Sequence, residues 1–261
     1  MRVLIYGLPE AGKTYIAQRL SDYLGDKVAW FNADRVREEA NDWDFSNEGR
    51  LRQNTRMRML CTEAEESGKV AIADFVAPFE SARLEFNADL EIFVDTIKES
   101  RYEDTNKIFE RPVYADYIVT EQRGDKDAKA IAWLIGNTCI WNNRAPSTQM
   151  LGRFQPWHNG HQALFERALE KHGQVFLMVR DMKTDDKNPY SAEQVIDNLQ
   201  DKLVKYAGLV NLTIVPNILN ITYGRDVGYK IEQESFDKHI EDISATKIRQ
   251  ATEAIEGKYG I

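Results

Sequence analysis

The stretch RVLIYGLPEAGKTYIAQRL, residues 2–20, decides how the chain begins to fold. An apolar run of strand length leads into GLPEAGKT, which fits the pattern G-x-x-x-x-G-K-[ST] and opens a helical pattern. A loop in this setting surrounds phosphates with backbone N–H groups and the positive end of a helix. The alternative, a glycine-rich turn that matches by chance, is disfavoured by the flanking strand and helix. The sequence therefore predicts a nucleotide site that includes Gly7, Gly12, Lys13 and Thr14.

Three side chains near this loop are candidates for contact with ATP and its metal ion. Lys13 is predicted to place a positive charge on the terminal phosphates, as a catalytic residue, and the Thr14 hydroxyl is predicted to ligate Mg²⁺. Asp74 ends the apolar run VAIA, so it is a second candidate magnesium ligand at the end of a strand. ATP and Mg²⁺ are thus the cofactors expected at the first site.

Composition limits the class of protein. The 261 residues suit two domains of roughly 100 to 150 residues each. No apolar run approaches the roughly 20 residues of a membrane helix, and the first residues resemble neither a secretory signal nor a transit peptide. Cys61 and Cys139 are too few for a disulfide framework, so we expect a cytoplasmic protein.

The charge balance limits the partners. A net charge of -8 argues against general nucleic-acid binding, so any anionic ligand must be held by local groups. The expected partners are small-molecule substrates and nucleoside triphosphates, without nucleic acid or membrane. The oligomeric state stays open, with a homo-oligomer as one option.

Strand and helix patterns alternate along both halves of the chain, which predicts right-handed crossovers and mostly parallel sheets. In the first half, strand patterns lie at residues 2–7, 27–33, 69–75, 90–95 and 117–122, and helical patterns at 13–24, 50–67 and 127–135. In the second half, strand patterns lie at residues 149–154, 174–179 and 212–217, and helical patterns at 161–172, 191–207 and 245 to about 256. We predict an α/β protein with two doubly wound parallel-sheet domains, residues 1–142 and 149–261, and a linker near residues 140–148.

Three further blocks of the first half resemble adenylylsulfate kinases. FNADRVRE at residues 31–38, DFSNEGRLRQNTR at 44–56 and DFVAPFESAR at 74–83 are similar, in order and spacing, to the LDGDNVR, GFSxEDRxENxRR and SFISPxxxxR blocks of that family. The resemblance covers most of residues 1–125. It implies a kinase that transfers the terminal phosphoryl group of ATP to a hydroxyl.

The same resemblance implies roles for four residues. Asp34 takes the place of the catalytic carboxylate, and Arg37, Arg50 and Phe75 take positions that contact the acceptor. The residues themselves support part of this, since a carboxylate after the second strand lies at the carboxyl edge of the sheet, where it can accept the proton of an attacking hydroxyl. A helix N-cap is an equally good interpretation of Asp34 from the sequence alone.

Departures from the family pattern concern the acceptor. Asn32 stands where the family has aspartate, and Asp74 replaces a serine. The family's lid motif, RDxKGLYxxAR, survives only as EDTNKIF at residues 103–109. A shortened lid removes much of what would enclose adenylylsulfate and exclude water. Kinase chemistry is therefore better supported than that particular acceptor.

The stretch GRFQPWHNGH, residues 152–161, begins a second site. The preceding strand is predicted to end at Arg153 or Phe154, and the helix that follows places His158 and His161 on one face of its first turn. Two imidazoles beside the positive end of a helix can donate hydrogen bonds to phosphate oxygens. They would stabilise the charge that develops on an α-phosphate as pyrophosphate leaves.

This stretch resembles the H-x-G-H signature of nucleotidyltransferases, and it is closest to the GRFQPxHxGH form of nicotinamide mononucleotide adenylyltransferases. NPYSAEQ at residues 188–194 and ISATKIR at 243–249 follow in the order of that family's NPFTAxER and ISGTxIR blocks. The resemblance implies, as in cytidylyltransferases, transfer of a nucleotide from ATP or CTP to a phosphate monoester. It implies that the nucleotide contacts Gly152, Arg153, Phe154, His158, His161, Ser244, Thr246 and Arg249. Among these, the two histidines and Arg249 are the catalytic candidates.

Other interpretations of the second half are weaker. Zinc ligation by the histidines would need partners, but His172, His239 and the two cysteines give no familiar ligand spacing. Ordinary surface histidines at a helix start are the other alternative. YGRDVGYKIE at residues 223–232 resembles the GRDHAG segment of ATP sulfurylases, which makes Arg225 and Asp226 candidate substrate contacts. A plain polar loop is an equal interpretation of that segment.

Together the motifs predict a bifunctional enzyme, a P-loop kinase followed by a Rossmann-like H-x-G-H nucleotidyltransferase. The kinase would make a phosphate monoester, which the second domain would join to AMP or CMP. Two alternatives stay open. One is an ATP sulfurylase-like half that makes adenylylsulfate for the kinase half, as in 3'-phosphoadenylylsulfate synthases. The other is a nucleotide-binding regulator whose kinase half is inactive.

Overall fold

The structure is a computed structural model that describes residues 1–121, 123–222, 224, 225, 228 and 230–250, without the side chain of Glu241. The chain forms two compact units, one over Met1–Cys139 and a second that begins at Ile140. Each unit contains a parallel β-sheet whose strands are separated by helices along the chain. The predicted α/β class with two parallel sheets is therefore confirmed.

The first unit alternates strands and helices. Strands β1 to β5 span Arg2–Tyr6, Val28–Asn32, Val70–Phe75, Leu90–Val94 and Tyr117–Val119. Helices α1 to α6 span Lys13–Leu24, Ala33–Glu39, Asn47–Glu66, Glu80–Phe86, Glu103–Ile108 and Asp125–Ile135. A 3-10 turn at Gly25–Lys27 precedes β2, and a π-helical turn at Gly136–Ile140 follows α6.

The five strands of the first unit lie in the order β2-β3-β1-β4-β5, and all neighbours are parallel. The central strand β1 and its neighbour β3 are buried at every residue, which explains why RVLIY and VAIADF are almost continuously apolar. The chain leaves β1 for one edge of the sheet and later crosses to the other side. Such a reversal opens a crevice at the carboxyl ends of the strands, where ligands bind in this kind of sheet.

Aromatic packing fills the space between the sheet and α3 and α4. Tyr6 stacks on Phe93 with 5.4 Å between ring centroids, and Phe75 meets Phe86 edge to face at the same distance. Met57 of α3 is fully buried in the same cluster. This core fixes the end of β3, and with it the residues that follow on the edge of the crevice.

The second unit is built on three parallel strands in chain order. Strands β6 to β8 span Thr148–Gly152, Val175–Arg180 and Val210–Val215. Helices α7 to α9 span Asn159–His172, Ala192–Leu203 and Lys238–Glu241, and residues 245–250 are helical as well. A 3-10 turn at Val204–Tyr206 follows α8.

Several predicted boundaries are corrected by the structure. Strand β6 ends at Gly152, because Phe154 has a φ of 50° and leaves the extended conformation. The helix predicted to reach residue 207 ends at Leu203. Helices α2, α4, α5 and α9 are absent from the predicted helical patterns. The last predicted helix begins at Ala245 as expected, but residues 251–256 lie outside the described part of the chain.

Across the described ranges, no helix is both long and apolar enough to cross a bilayer.

Candidate active sites

The phosphate loop, GLPEAGKT, joins β1 to α1. Gly7 has a φ of 148°, and a Cβ atom there would lie 2.3 Å from the Val94 carbonyl oxygen. Gly12 has a φ of 97° and is the N-cap of α1. The Thr96 hydroxyl donates to the Ala11 carbonyl at 2.6 Å and holds the far side of the loop. The loop is therefore fixed against β4, with α1 beginning at its end.

Lys13 is the first residue of α1 and is buried. Its Nζ donates to the Leu8 carbonyl of the phosphate loop at 2.8 Å. Burial lowers the pKa of Lys13 to about 8, although Asp74 and Asp34 act in the opposite direction. The ammonium group is thus poorly solvated and lies beside the loop, where phosphate oxygens would favour its charged form.

Asp74, buried at the end of β3, accepts hydrogen bonds from three side chains. Its Oδ2 accepts from the Thr14 hydroxyl at 2.7 Å and from Asn32 Nδ2 at 3.0 Å. Its Oδ1 accepts from Trp30 Nε1 at 2.6 Å. Burial raises the pKa of Asp74, and these hydrogen bonds oppose the rise. The structure therefore brings together Thr14 and Asp74, the two residues predicted to ligate Mg²⁺.

The donor set at this position fits magnesium. A hydroxyl and a carboxylate are oxygen ligands of the kind that Mg²⁺ takes, and this ion commonly completes its shell with water and substrate phosphates. Within the described residues, no three His, Cys, Asp or Glu side chains are grouped so that they could hold a metal by themselves.

Asp34 lies in the first turn of α2 and is exposed. The N-cap of α2 is Asn32, whose Oδ1 accepts from the Arg35 N–H at 3.2 Å. The interpretation of Asp34 as an N-cap is therefore wrong. Asn32, which departs from the family pattern, caps the helix and contacts both Thr14 and Asp74.

Beside α2 lies a cavity of about 70 Å³, which we call the arginine cavity. The four residues predicted to act on the acceptor, Asp34, Arg37, Arg50 and Phe75, all line it. Phe45 lines it as well, with its ring 4.7 Å from the guanidinium carbon of Arg37 and 5.9 Å from that of Arg50. The sequence-based prediction missed Phe45, although it belongs to the DFS block.

The two arginines of this cavity are held differently. Arg37 is buried, and its Nη1 donates to the carbonyls of Asp42 and Asp44, both at 3.0 Å. Arg50 donates through Nη2 to the Thr105 hydroxyl at 3.0 Å and to the Asp104 carboxylate at 3.2 Å. Burial lowers the pKa of Arg37. Only one of the two arginines therefore has a carboxylate partner in the described ranges.

In the second unit, His158 is the N-cap of α7, and its Nδ1 accepts from the His161 N–H at 3.4 Å. The two rings stack with centroids 3.7 Å apart and planes 19° apart. Burial lowers the pKa of both histidines, and for His161 burial and the charge of His158 lower it to about 4. His161 is therefore a neutral ring at pH 7.

A cavity of about 550 Å³, the histidine cavity, lies at the end of β6. Its lining includes five of the residues predicted to bind the nucleotide, namely Arg153, Phe154, His161, Thr246 and Arg249. His158 and Ser244 are not among the lining residues. The Ser244 hydroxyl instead accepts from the Lys247 N–H at 3.3 Å, as an N-cap of the helix that begins at residue 245.

Hydrogen bonds join three sequence blocks of the second unit, GRFQPWHNGH, NPYSAEQ and ISATKIR, around this cavity. Gln155 donates to the Tyr190 carbonyl at 2.7 Å and accepts from the Tyr190 N–H at 3.1 Å. Arg249 donates to the Gln155 carbonyl and, through Nη2, to the Thr246 hydroxyl at 3.3 Å. Blocks that are far apart in the sequence thus meet at one hollow.

Some residues of the histidine cavity were missed, and one predicted pair is not placed there. Gln155, Asp186 and Lys187 line the cavity. The run DDK directly before NPYSAEQ was the available signal for the last two. Arg225 is exposed and does not line this cavity, and Asp226 lies outside the described residues.

Gly152 precedes the cavity at the end of β6. A Cβ atom at this position would lie 2.6 Å from the ring of Phe154, which is buried and lines the histidine cavity. The close approach of ring and backbone explains why a glycine is required there.

These arrangements define two classes of nucleotide-handling domain. The first unit has the strand order and phosphate loop of a P-loop kinase fold, and the second has an H-x-G-H motif at a helix start beside a parallel sheet. Residues 1–115 match the family described as Adenylylsulphate kinase, and residues 150–211 match the family described as Cytidylyltransferase-like. The chain thus joins an adenylylsulphate-kinase-like segment to a cytidylyltransferase-like segment, which confirms both resemblances at this level.

Individual relatives are similar to part of the chain. A probable adenylyl-sulfate kinase from Aeropyrum pernix is 35% identical over 85 residues, which is 31% of this chain and 46% of the relative. The match thus spans about half the length of that protein. The APS kinase CysC from Mycobacterium tuberculosis in complex with AMPPNP and APS is 19% identical, with a TM-score of 0.44, over 51% of this chain and 96% of that chain. A shikimate kinase from Acinetobacter baumannii in complex with shikimate is 19% identical, with a TM-score of 0.40, over 52% of this chain and 94% of that chain.

Proposed function

We propose that the chain is a bifunctional enzyme with a kinase domain at residues 1–142 and a nucleotidyltransferase domain at residues 149–261. One observation carries the proposal. In each unit, a helix start at the carboxyl end of a parallel strand gathers polar side chains suited to a nucleoside triphosphate. In the first unit these are Lys13, Thr14 and Asp74, and in the second they line the histidine cavity.

In the first unit, Lys13 binds the terminal phosphates of ATP. Thr14 and Asp74 would hold Mg²⁺, which neutralises phosphate charge when bound. Asp34 accepts the proton of an acceptor hydroxyl that Arg37, Arg50 and Phe75 hold in the arginine cavity. The acceptor oxygen forms a bond to the γ-phosphorus as the bond to ADP breaks. The product is a phosphate monoester.

In the second unit, ATP or CTP lies in the histidine cavity. Neutral His161 donates a hydrogen bond to a phosphate oxygen, while His158 caps the helix beside it. Arg153, Thr246 and Arg249 bind the phosphates, and Gly152, Phe154 and Ser244 shape the strand end and the helix start. A phosphate monoester oxygen attacks the α-phosphorus, and pyrophosphate leaves.

The chemistry of the two reactions favours one order, with the kinase reaction first. The first makes a phosphate monoester from an alcohol, and the second consumes a phosphate monoester. Covalent joining of the two domains would couple consecutive steps.

The deciding experiment supplies the full chain with ATP, CTP and Mg²⁺ and with a panel of alcohols and phosphate monoesters. Mass spectrometry should find a phosphorylated alcohol and its AMP or CMP adduct, with release of pyrophosphate. Pyrophosphate release that depends on sulfate, followed by phosphorylation of adenylylsulfate, would instead support the sulfurylase-like alternative. Binding of ATP without consumption in the presence of any acceptor would support the regulator.

A further inference from the structure

The balance of charges in the arginine cavity limits the kind of acceptor that it can bind. Arg37 and Arg50 bring two positive charges to it, and Asp34 brings one negative charge. A second carboxylate, Asp104, contacts Arg50 from the first turn of α5. The question is how many of these charges remain for an acceptor.

Arg50 forms hydrogen bonds along one edge of its guanidinium group, through Nε and Nη2. Nε donates to the Phe45 carbonyl at 2.9 Å, and Nη2 donates to Thr105 and Asp104. Thr105 is buried, so the first turn of α5 is attached to Arg50 at a fixed point. Asp104 does not line the arginine cavity, but its carboxylate offsets the charge of Arg50 and so weakens the attraction of Arg50 for an anionic group of the acceptor.

Arg37 forms no direct ion pair in the described part of the chain. Both of its hydrogen bonds use Nη1 and end on main-chain carbonyls, while the carboxylates of Asp42 and Asp34 act on it only through their charge. A guanidinium group has five N–H donors in a planar fork, which suits an anionic oxygen pair. Arg37 is consequently the arginine of this cavity that is better placed to bind an anionic group of the acceptor.

The volume of the arginine cavity also favours a small acceptor. The arginine cavity has a volume of about 70 Å³, whereas pockets for drug-sized ligands measure roughly 300 to 1,000 Å³. The aromatic rings of Phe45 and Phe75 occupy part of its wall. This space suits a small hydroxy compound better than a nucleotide.

We propose that Asp104 determines acceptor specificity as a positioning residue: by pairing with Arg50 it leaves Arg37 to bind the acceptor anion, which favours a small hydroxy compound with one anionic group. Adenylylsulfate carries two anionic groups, a phosphate and a sulfate. Its second anionic group would meet an Arg50 that is already paired with Asp104. The proposal rests on the kinase function proposed above and narrows its acceptor class.

The test uses the full chain loaded with a non-hydrolysable ATP analogue and compares four proteins, the wild type and the variants Asp104→Asn, Asp104→Glu and Glu103→Gln. Glu103 is the matched control, because it lies in the same turn, is 87% exposed and contacts only Lys107 among the described residues, at 3.8 Å. Binding of adenylylsulfate is measured by calorimetry. Asp104→Asn should tighten it by about two- to fivefold, the range expected for release of an exposed ion pair.

Asp104→Glu should behave like the wild type, because it keeps the carboxylate, and Glu103→Gln should change little. The gain in Asp104→Asn should shrink at high salt, where exposed charges are screened. Glycolate, a hydroxy compound with one carboxylate, should bind the wild type and Asp104→Asn with the same affinity in an NMR titration. Equal tightening for both ligands, or adenylylsulfate binding no tighter in Asp104→Asn than in Glu103→Gln, would overturn the proposal.

The two proposals can fail separately. Lys13→Ala should lose binding of the ATP analogue, and unchanged binding in that variant would refute the kinase site itself. Normal ATP binding in the wild type together with no effect at Asp104 would refute only the acceptor inference.

Discussion

Burial sets the charge state of the single residues that would meet phosphates. Burial lowers the pKa of Lys13 to about 8, and burial together with His158 lowers the pKa of His161 to about 4. At neutral pH the first group is therefore a cation close to its titration range, and the second is a neutral hydrogen-bond donor. Under the proposed function, the two sites would meet the same kind of ligand with groups in different charge states.

We predict that ATP binding at the first site weakens as the pH rises above 8. Bound phosphates favour the charged form of Lys13, so affinity is full below the pKa and is lost as the ammonium group deprotonates. Calorimetry with a non-hydrolysable ATP analogue should show Kd rising by up to about tenfold from pH 7 to pH 9. Lys13→Arg, which stays charged, should remove the slope if it binds. A flat profile in the wild type would contradict the prediction.

We predict that Gly152→Ala damages the histidine cavity. The added Cβ would displace the buried ring of Phe154, at a cost of roughly 1–3 kcal/mol for overpacking. The variant should melt at a lower temperature and bind ATP and CTP more weakly at the second site. Gly224→Ala is the matched control, because nothing lies within 4 Å of a Cβ atom there. Equal nucleotide binding in the two variants would count against this geometry.

At the scale of elements, the loop after β6 and the loop before α8 are held by one side chain. Gln155 is buried and makes two hydrogen bonds to the main chain of Tyr190. Its own carbonyl accepts from Arg249, near the last described helix. Three elements that line the histidine cavity thus depend on Gln155.

We predict that Gln155→Leu destabilises the second unit by about 1–3 kcal/mol, because it removes both hydrogen bonds to the main chain of Tyr190. Chemical denaturation followed by circular dichroism should show this loss. Gln149→Leu, at an exposed position of β6, should cost little. A similar free energy of unfolding for both variants would show that the Gln155–Tyr190 hydrogen bonds contribute little to stability.

The long elements could be predicted from the sequence, and the short polar ones could not. Helix α1 matches its predicted bounds, and β3 and β4 differ by a single residue, because buried parallel strands are continuous apolar runs. Helices α2 and α4 have seven residues each and charged sequences, so they give little periodic signal. Their formation depends on contacts such as the Asn32 cap, which only the fold reveals.

The same limit applies to the candidate sites. The phosphate loop and the H-x-G-H stretch are local motifs, so the sequence alone can predict them as candidate sites. Arg50 and Asp104 are 54 positions apart and belong to no common motif, so their pairing could not be inferred. Lys187 reaches the histidine cavity because the turn around Asp185 and Asn188 is held by hydrogen bonds.

At the scale of the whole molecule, an acidic protein presents cationic cavities. The net charge is -8, yet the arginine cavity contains Arg37 and Arg50, and the histidine cavity contains three cationic residues. The three are Arg153, Lys187 and Arg249. Any recognition of anionic ligands would therefore be local, and the general charge would discourage polyanions.

We predict that the two activities can be abolished one at a time. Lys13→Ala should lower ATP-dependent phosphorylation by about 10²-fold or more, and should leave pyrophosphate release from a supplied phosphate monoester unchanged. His161→Asn should have the opposite effect, because it removes a donor to the α-phosphate. Both rates are measured on each variant by phosphate-specific coupled assays. One substitution that abolished both rates would contradict the assignment of separate sites.

Asn32 connects the phosphate loop region of the first unit to helix α2. Its amide oxygen caps the helix that carries Asp34 and Arg37, while its amide nitrogen donates to the threonine and the aspartate beside the phosphate loop. A planar amide cannot turn one end without turning the other. We therefore expect a rearrangement beside the phosphate loop to shift helix α2, which would couple the two proposed substrate sites through one side chain.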